Sequence, residues 1–290
     1  MAKTKLGGYK KQSQAKEVWR RLCKNKLAIV GLVLVIIIVL GSIFAPLLTP
    51  YEYDAMDLLH AKQFPSWEHP LGTDHYGRDI LTRILYGGRT SLLISVIAIA
   101  ISLIVGGLLG AVASYFGGFQ ENVIMRLLDI LMAVPGLLLA VAISASLGVG
   151  KLNCAIAIGV SSIPSFARII RASVLSIKGQ EYIEAAKACG VRDWTIILRH
   201  VIPNSLAPIM VQSTLRVGES IMMISSLSFI GLGVQPPTPE WGSMLAMGRD
   251  LIRDFWPIVT FPGIAIMLTL IAFNLLGDGL RDALDPRLKQ

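Results

Sequence analysis

Two ionisable residues, Arg216 and Glu219, stand in an otherwise uncharged stretch from Val201 to Pro239. They are three residues apart, so in a helix they share one face. If this stretch lies in a membrane, their charges need a cavity or a partner, because charge in hydrocarbon is costly. Glu219 could then bind an amino group, and Arg216 a carboxylate, of a molecule that crosses the membrane. We favour the simpler interpretation, in which the two pair with each other or with a partner subunit.

Other constellations that could do chemistry do not form a site. Three of the four histidines, His60, His69 and His75, could suggest a metal relay, but their spacings of nine and six residues match no compact metal site and no cysteine lies nearby. The sequence contains no G-x-x-x-x-G-K-[ST] motif, so we expect no ATP site in this chain. It also offers no nucleophile with a base and an orienting group. We therefore predict a protein that is not an enzyme and has neither a metal site nor a cofactor of its own.

The composition indicates a membrane protein. Of 290 residues, 53% are hydrophobic and 16% are charged, and the mean hydropathy is +0.63, whereas a soluble domain carries about 25% charged residues. Residues 1–26 hold nine basic residues and one acid, which accounts for the whole net charge of +8. A basic tail beside an apolar run is typical of a cytoplasmic flank and does not suggest binding to nucleic acid. The three cysteines, an odd number, suggest no disulfide framework.

Long uncharged runs predict the membrane spans, since a helix needs about 20 apolar residues to cross the hydrocarbon core. The six predicted spans are 27–46, 90–115, 123–148, 152–172, 204–232 and 257–277. We therefore predict an all-α polytopic membrane protein with six transmembrane helices. It consists of a basic cytoplasmic tail over 1–26 and one transmembrane domain over 27–290.

The basic tail places the N-terminus in the cytoplasm, and an even number of spans places the C-terminus there as well. On this topology the segment 49–89 is extracytoplasmic and the segment 173–203 is a cytoplasmic loop. The segment 233–256 also lies outside, and its prolines preclude a regular helix directly after the fifth span. We interpret it either as an outer gate or receptor-facing segment, or as a simple extracellular loop.

Several shorter patterns predict structural roles. Asp79 is expected to cap an amphipathic, interfacial helix over 79–89. Gly106 and Gly110 form a face of small residues that lets helices approach closely. Arg126 and Asp129 are expected to form a structural ion pair. A solvated ion-pair cluster is expected after the last span, formed by Asp278, Arg281, Asp282 and Asp285.

The segment 173–203 is expected to contain two short helices. The first ends near Gly190, which can adopt the left-handed conformation of a helix C-cap. The second covers 191–200, and its apolar side is expected to contain Trp194, Ile197, Leu198 and Val201. Alanines beside Glu184 leave a low-relief surface that could enter a groove of another protein. A loop that only packs under its own helices explains the spacing equally well.

This segment resembles the coupling-loop signature of the permease subunits of ATP-binding-cassette importers. The signature is EAA, then a glycine four residues beyond the last alanine, then a final Leu-Pro. The matching residues are Glu184, Ala185, Ala186, Gly190 and Pro203. Two positions depart from it, because His200 stands where the family favours isoleucine and Ile202 replaces leucine.

Further motifs resemble the C-type permeases of dipeptide, oligopeptide and nickel importers. They are HPLGTD at 69–74, GRD at 77–79, FIGLG at 229–233, PPTPEWG at 236–242 and FNLLGDGLRDALDP at 273–286. The motifs near the end of the chain are similar to the dipeptide members in particular. The resemblance extends over nearly all of residues 18–290.

The resemblance implies a type I importer permease fold in a bacterial inner membrane. It implies that a homologous permease completes the path, that two cytoplasmic ATPase subunits bind ATP and Mg, and that an extracytoplasmic binding protein delivers a di- or oligopeptide. It also implies that the loop around Glu184 and Gly190 couples ATPase closure to rocking of the spans, in an alternating-access mechanism. If Arg216 and Glu219 line the path, they would meet the carboxylate and the ammonium of the peptide.

Two other functions remain open at this point. A nickel or metal-chelate importer of the same family would differ in its binding protein more than in this subunit. An ion-coupled secondary transporter would have inverted repeats and broken helices with acidic coupling residues at the midplane, and only Glu219 approaches that pattern.

Overall fold

The computed structural model of the chain describes residues 14–284. Within this range the regular structure is helical, with no β-strand and one isolated bridge between Thr73 and Asp79, as predicted for an all-α protein. The helices are α1 (Gln14–Leu22), α2 (Lys26–Ile43), α3 (Ala45–Leu48), α4 (Ile80–Phe116), α5 (Gly118–Ala133), α6 (Gly136–Leu147), α7 (Lys151–Lys178), α8 (Glu181–Ala188), α9 (Asp193–Ile196), α10 (Ile202–Asn204), α11 (Leu206–Phe229), α12 (Trp241–Gly248) and α13 (Pro257–Leu284). A π-helical segment covers Ile197–Val201, and short 3-10 turns cover Leu58–His60 and Arg249–Leu251.

Four helices in the described range, α2, α4, α7 and α13, are long and apolar enough to span a membrane. Helices α5 and α6 would supply a fifth span, but their axes differ by 89°. The predicted span 123–148 is therefore not one straight helix, because Pro135 holds Val134 in extended geometry. The predicted span 204–232 corresponds to α11, which has 24 residues but does not meet the same test of length and composition.

Helix α4 is continuous over 37 residues. The separate interfacial helix predicted over 79–89 is instead the first part of this helix. Gly87 lies inside this helix, and the Trp241 ring packs against its position. Asp79 caps the helix as predicted, with its Oδ2 accepting a hydrogen bond of 2.7 Å from the Thr82 amide.

The predicted close approach at Gly106 and Gly110 is confirmed by the packing of α4 on α7. A Cβ at Gly106 would lie 2.5 Å from the Ile163 carbonyl oxygen, and one at Gly110 would collide with the Ala167 carbonyl. Only glycine lets the two backbones approach this closely, and the contact places α7 against the C-terminal half of α4.

The order of contacts along the helices defines two ends of the bundle. Ala28 at the start of α2 lies against Gly279 near the end of α13, whereas Ser42 near the end of α2 lies against Gly88 in the first part of α4. We call the end that contains α1, the start of α2 and the end of α13 the tail end. The end of α4 and helix α8 also lie there, while the segment 49–79 and α12 lie at the opposite end. Loop 173–203 and residues 14–26 of the basic tail therefore share one end of the molecule.

Candidate functional site

Helix α8 holds Glu184, Ala185 and Ala186, the first three residues of the predicted coupling signature. It ends at Ala188, with Cys189 as its cap and Gly190 in the left-handed region at φ +74°. The Val191 amide donates to the Ala186 carbonyl at 3.1 Å, which closes the helix in the manner expected of a glycine C-cap. The predicted end of the first short helix is confirmed.

One side chain anchors α8 to the bundle. Ile183 is fully buried in an apolar cluster at the tail end that we call the anchor cluster. The cluster brings together α4, α7, α8, α9, α11 and the π-helical segment. Its buried members are Ala111, Tyr115, Ile170, Val174, Ile183, Ile196, Ile197, Val201 and Ile209. A displacement of α8 is therefore passed directly to the ends of three long helices, since packed interiors transmit strain.

Tyr115, in the last turn of α4, adds two polar contacts to the anchor cluster. Its hydroxyl donates to Asp193 Oδ1 at 2.6 Å, and the Lys187 ammonium lies 4.8 Å from the centre of its ring. The sequence analysis missed Tyr115. The only signal was an aromatic hydroxyl in the last turn of a long uncharged run.

Most of the signature residues lie on the outward side of the loop that contains α8. Glu184, Ala185, Gly190 and Pro203 are exposed, while Ala186 is half-buried. No atom lies within 4 Å of a Cβ built at Gly190. This side of the loop therefore combines small residues with the carboxylates of Glu181 and Glu184, and it is open to another protein.

The second predicted helix differs from the expectation. Residues 191–200 are not one helix, because α9 ends at Ile196 and gives way to the π-helical segment. Ile197 and Val201 are buried as expected, but Trp194 and Leu198 are 54% and 55% exposed. A π-helical turn takes more residues than an α-helical turn, so the α-helical spacing used for the prediction does not hold from Ile197 onward. The predicted common face of the four residues is wrong.

Arg216 and Glu219 pair with each other. Arg216 Nη1 lies 2.7 Å from Glu219 Oε2, and the two line a small cavity with three hydroxyls, those of Ser102, Ser162 and Ser220. Arg216 Nε is buried without a hydrogen-bond partner in the described residues. Of the two interpretations above, the internal pair is the one that this geometry contains.

The ion pair predicted between Arg126 and Asp129 is wrong. Asp129 instead accepts a hydrogen bond of 2.6 Å from Arg168 of α7, because α7 packs alongside α5. A second bridge of the same kind joins Glu121 and Arg171 at 2.5 Å.

The ion-pair cluster predicted after the last span does not form within residues 14–284. Asp282 accepts a hydrogen bond of 3.4 Å from Asn25, and Arg281 pairs with neither Asp278 nor Asp282. Asp285 lies outside the described residues.

The opposite end is built around a buried ionic group. Arg78 Nε donates to Asp74 Oδ2 at 2.6 Å, and Arg83 donates to the Tyr53 and Pro237 carbonyls at 2.7 and 3.4 Å. Both arginines are 1% exposed. Because Arg83 reaches Pro237, it connects the segment 49–89 with the segment 233–256. The GTD and GRD motifs thus have a structural role here.

Glu240, which the sequence analysis did not single out, is a fully buried carboxylate at the same end. It caps α12 by accepting from the Gly242 and Ser243 amides at 2.9 and 2.8 Å, and it also accepts from the Ser91 hydroxyl of α4 at 3.2 Å. Burial raises the pKa of Glu240 above its usual value, against the opposing effect of these hydrogen bonds. A carboxylate inside the PPTPEWG motif thus joins the outer segment to the bundle.

The three outer histidines have three different environments. His60 Nδ1 lies 2.6 Å from Asp57, and this exposed pair raises the pKa of His60 and lowers that of Asp57. His69 Nδ1 lies 3.0 Å from the capping Asp79, whereas His75 stacks on Tyr76. The structure contains no group of three metal-binding side chains within residues 14–284.

Two family models match the chain. Residues 102–290 match the binding-protein-dependent transport system inner membrane component, and residues 13–65 match the N-terminal transmembrane domain of oligopeptide transport permease C. These matches agree with the two resemblances drawn from the sequence motifs.

Three curated relatives cover most of the chain. A dipeptide transport system permease protein of Alkalihalophilus pseudofirmus is 47% identical over 97% of this chain and 92% of its own length. A di/tripeptide transport system permease protein of Pseudomonas aeruginosa is 44% identical over 96% of this chain and 93% of its own length. A glutathione transport system permease protein of Pectobacterium atrosepticum is 43% identical over 94% of this chain and 91% of its own length.

A solved structure shares the fold. One chain of the inward-facing MetNI methionine ABC transporter superposes with a TM-score of 0.58 at 13% identity, covering 70% of this chain and 96% of that chain. The predicted type I importer permease fold is confirmed, and so is the prediction of a non-catalytic membrane subunit, since the relatives are permease components. The chain belongs to the family of binding-protein-dependent transport system inner membrane components, the permease subunits of ATP-binding-cassette importers.

Proposed function

We propose that this chain is one of two transmembrane permease subunits of an ATP-driven importer of di- and oligopeptides. Relatives named for dipeptides, di/tripeptides and glutathione, itself a tripeptide, support this substrate class. A homologous permease completes the path, two cytoplasmic ATPase subunits bind ATP and Mg, and an extracytoplasmic binding protein delivers the peptide. Both termini of the chain lie in the cytoplasm.

The observation that carries the proposal is the two-sided character of α8. Its inward side, through Ile183, is buried in the anchor cluster, while Glu184 and Ala185 on its outward side are exposed. A helix of eight residues is too short to be stable alone, so its packing holds it in place. An ATPase subunit that docks on the outward side therefore moves the inward side as well.

The mechanism follows from this connection. ATP closes the ATPase dimer, and α8 moves with it as a rigid body. The anchor cluster passes this movement to the ends of α4, α7 and α11, and the path opens outward to accept peptide from the binding protein. ATP hydrolysis then restores the inward-open state.

We assign Arg216 and Glu219 to the wall of the path as an internal ion pair. Each neutralises the other across 2.7 Å within α11, in a cavity that the hydroxyls of Ser102 and Ser162 also line. Separate contacts of the two residues with the ends of a peptide would require this bridge to open.

The coupling assignment is tested with two substitutions on the outward side, Glu184→Lys and Gly190→Val, in the reconstituted transporter. We expect both to abolish peptide-stimulated ATP hydrolysis and uptake while the permease stays folded. Gly190→Asn is the matched control for the second, because asparagine tolerates the left-handed conformation and space is available at this position. Asp250→Lys, at an exposed site of the opposite end, is the control for charge reversal. Normal uptake in both test variants would refute the role assigned to α8.

The substrate class is tested by ATPase stimulation of the whole complex with its binding protein. Dipeptides, glutathione, longer peptides and chelated nickel are compared at equal concentration. Stimulation by peptides supports the proposal and gives the length preference. Stimulation by nickel alone would overturn the peptide assignment while leaving the coupling assignment intact.

A further inference from the structure

A pocket of about 420 Å³ lies at the tail end between α1 and the last turns of α13. Its lining residues are Arg20, Arg21, Lys24, Asn25, Gly279, Asp282 and Ala283. The peptide path and the coupling loop contribute none of them. The pocket therefore belongs to neither part of the transport machinery described above.

The pocket has a defined floor. Leu22 and Ala283 are 4% exposed and pack with Ala28, so α1 is fixed against α13 by an apolar contact. Gly279 allows this approach, because its position touches Ala28 directly. The cationic residues of α1 and of the turn after it are thus held beside the end of α13 by packed side chains.

The charge of the pocket suits an anion. Arg20, Arg21 and Lys24 face a single lining carboxylate, Asp282, which accepts a hydrogen bond from the Asn25 amide. Arg21 also pairs with Glu17 at 2.5 Å. Neither Arg20 nor Lys24 forms an ion pair with any residue between 14 and 284, so both charges are available to a ligand.

The level of the pocket in the membrane indicates the source of that anion. Asn25 caps α2, whose 18 residues rise about 27 Å, nearly the thickness of the hydrocarbon core. Residues next to this cap therefore lie at the level of the lipid headgroups. Trp19 is 55% exposed on α1, as expected for an aromatic side chain at a membrane interface.

Exposed apolar side chains begin on α2 at Leu27, two residues after Asn25 of the pocket lining; we call them the apolar track. On α2, Leu27, Val30 and Ile37 are 63%, 49% and 60% exposed. Val30 and Ile37 are seven residues apart, which places them on one helix face, and Leu27 lies three residues before Val30. A free phosphate would leave this track unused. A phospholipid would place its headgroup in the pocket and its acyl chains along α2.

We propose that the pocket between α1 and α13 is a binding site for an anionic phospholipid. Arg20 and Lys24 bind the headgroup phosphate, Asn25 contributes an amide donor, and the acyl chains cover the exposed face of α2. The bound lipid fixes α1 on α13 and so holds the first span against the last. The inference does not depend on the identity of the transported peptide.

The experiment measures lipid binding to the assembled transporter by native mass spectrometry in detergent, with phosphatidylglycerol, cardiolipin and phosphatidylcholine as probes. The test variant is Arg20→Gln with Lys24→Gln. The matched control is Lys16→Gln with Lys26→Gln, which removes two charges from the same tail at exposed positions outside the pocket. We expect about 30-fold weaker binding of the anionic lipids to the test variant, from about fivefold for each cation near an anionic surface, and a loss of less than threefold in the control.

Each other outcome overturns the proposal. Equal loss in both double variants would show diffuse attraction by the basic tail. Equal binding of phosphatidylcholine would remove the role of charge, and full competition by glycerol phosphate would identify a site for a soluble anion. Because the test variant could fail to assemble, the conservative variant Arg20→Lys with Lys24→Arg is measured beside it and is expected to keep lipid binding within threefold of wild type.

Discussion

Replacing Ile183 by alanine tests whether packing holds α8 to the membrane helices. Ile183 is fully buried in the anchor cluster, and an isoleucine-to-alanine change at such a site costs about 2 to 5 kcal/mol. Since α8 has no other buried residue, this cost falls mainly on its docking. A loss of about 3 kcal/mol corresponds to a change of about 100-fold in the docking equilibrium.

The assay is amide hydrogen exchange of the segment 181–196 in the assembled transporter, combined with peptide-stimulated ATP hydrolysis. We expect exchange from α8 to rise about 100-fold, in step with the docking equilibrium, and stimulation to be lost while basal hydrolysis by the ATPase subunits continues. Ile183→Val removes one methylene group and costs about 1 kcal/mol, so a rise of about fivefold is expected.

Ile252→Ala is the control for this experiment, because it deletes the same groups at a site that is 54% exposed. It should change exchange from α8 by less than twofold. If Ile183→Ala behaves like Ile252→Ala, side-chain packing does not hold α8, and the path of force from the loop to the spans must be sought elsewhere.

Three further predictions concern the membrane helices and the outer segment. Gly110→Ala should lower the free energy of unfolding by about 2 kcal/mol, because the added Cβ would collide with a carbonyl of α7. Gly107→Ala is the control and should cost less than about 1 kcal/mol, because its Cβ meets only a flexible side chain at 3.0 Å. Thermal unfolding in detergent distinguishes the two variants. Burial raises the pKa of Glu240 in the folded protein above its unfolded value near 4.5. Unfolding above that pH therefore releases a proton. The stability of the wild type relative to Glu240→Gln should fall as pH rises from 4.5 to the folded-state pKa, and then level off. Neutralising Arg216 or Glu219 alone should reduce transport more than neutralising both, since each single change leaves an unpaired charge beside the cavity; additive losses in a double-mutant cycle would contradict the internal pair.

Features that depend on local conformation could be foreseen from the sequence. The cap at Asp79 and the helix end at Gly190 follow from the side chain or the backbone freedom of a single residue. The four-residue spacing of Gly106 and Gly110 predicted a close helix approach on α4, but did not identify α7 as the partner. Such features need no knowledge of which helices become neighbours.

Features that depend on tertiary neighbours could not be foreseen. Asp129 could reach Arg126 on its own helix, yet it pairs with Arg168, 39 residues away, because α7 packs beside α5. Tyr115 and Asp193 are 78 residues apart, so no local pattern connects them. Leu198 lies in the π-helical segment and is exposed, and no periodicity of the sequence indicated that segment.

The continuity of α4 gives the proposed rocking motion a length scale. Its 37 residues form a rod about 55 Å long, with Tyr115 against the coupling loop at one end and Arg83 against Pro237 at the other. A tilt of about 5° about the tail end of such a rod displaces the far end by about 5 Å, one helical turn. In the proposed mechanism this helix would act as a lever, in which a small rotation at the coupling loop becomes a movement of several ångström at the outer segment.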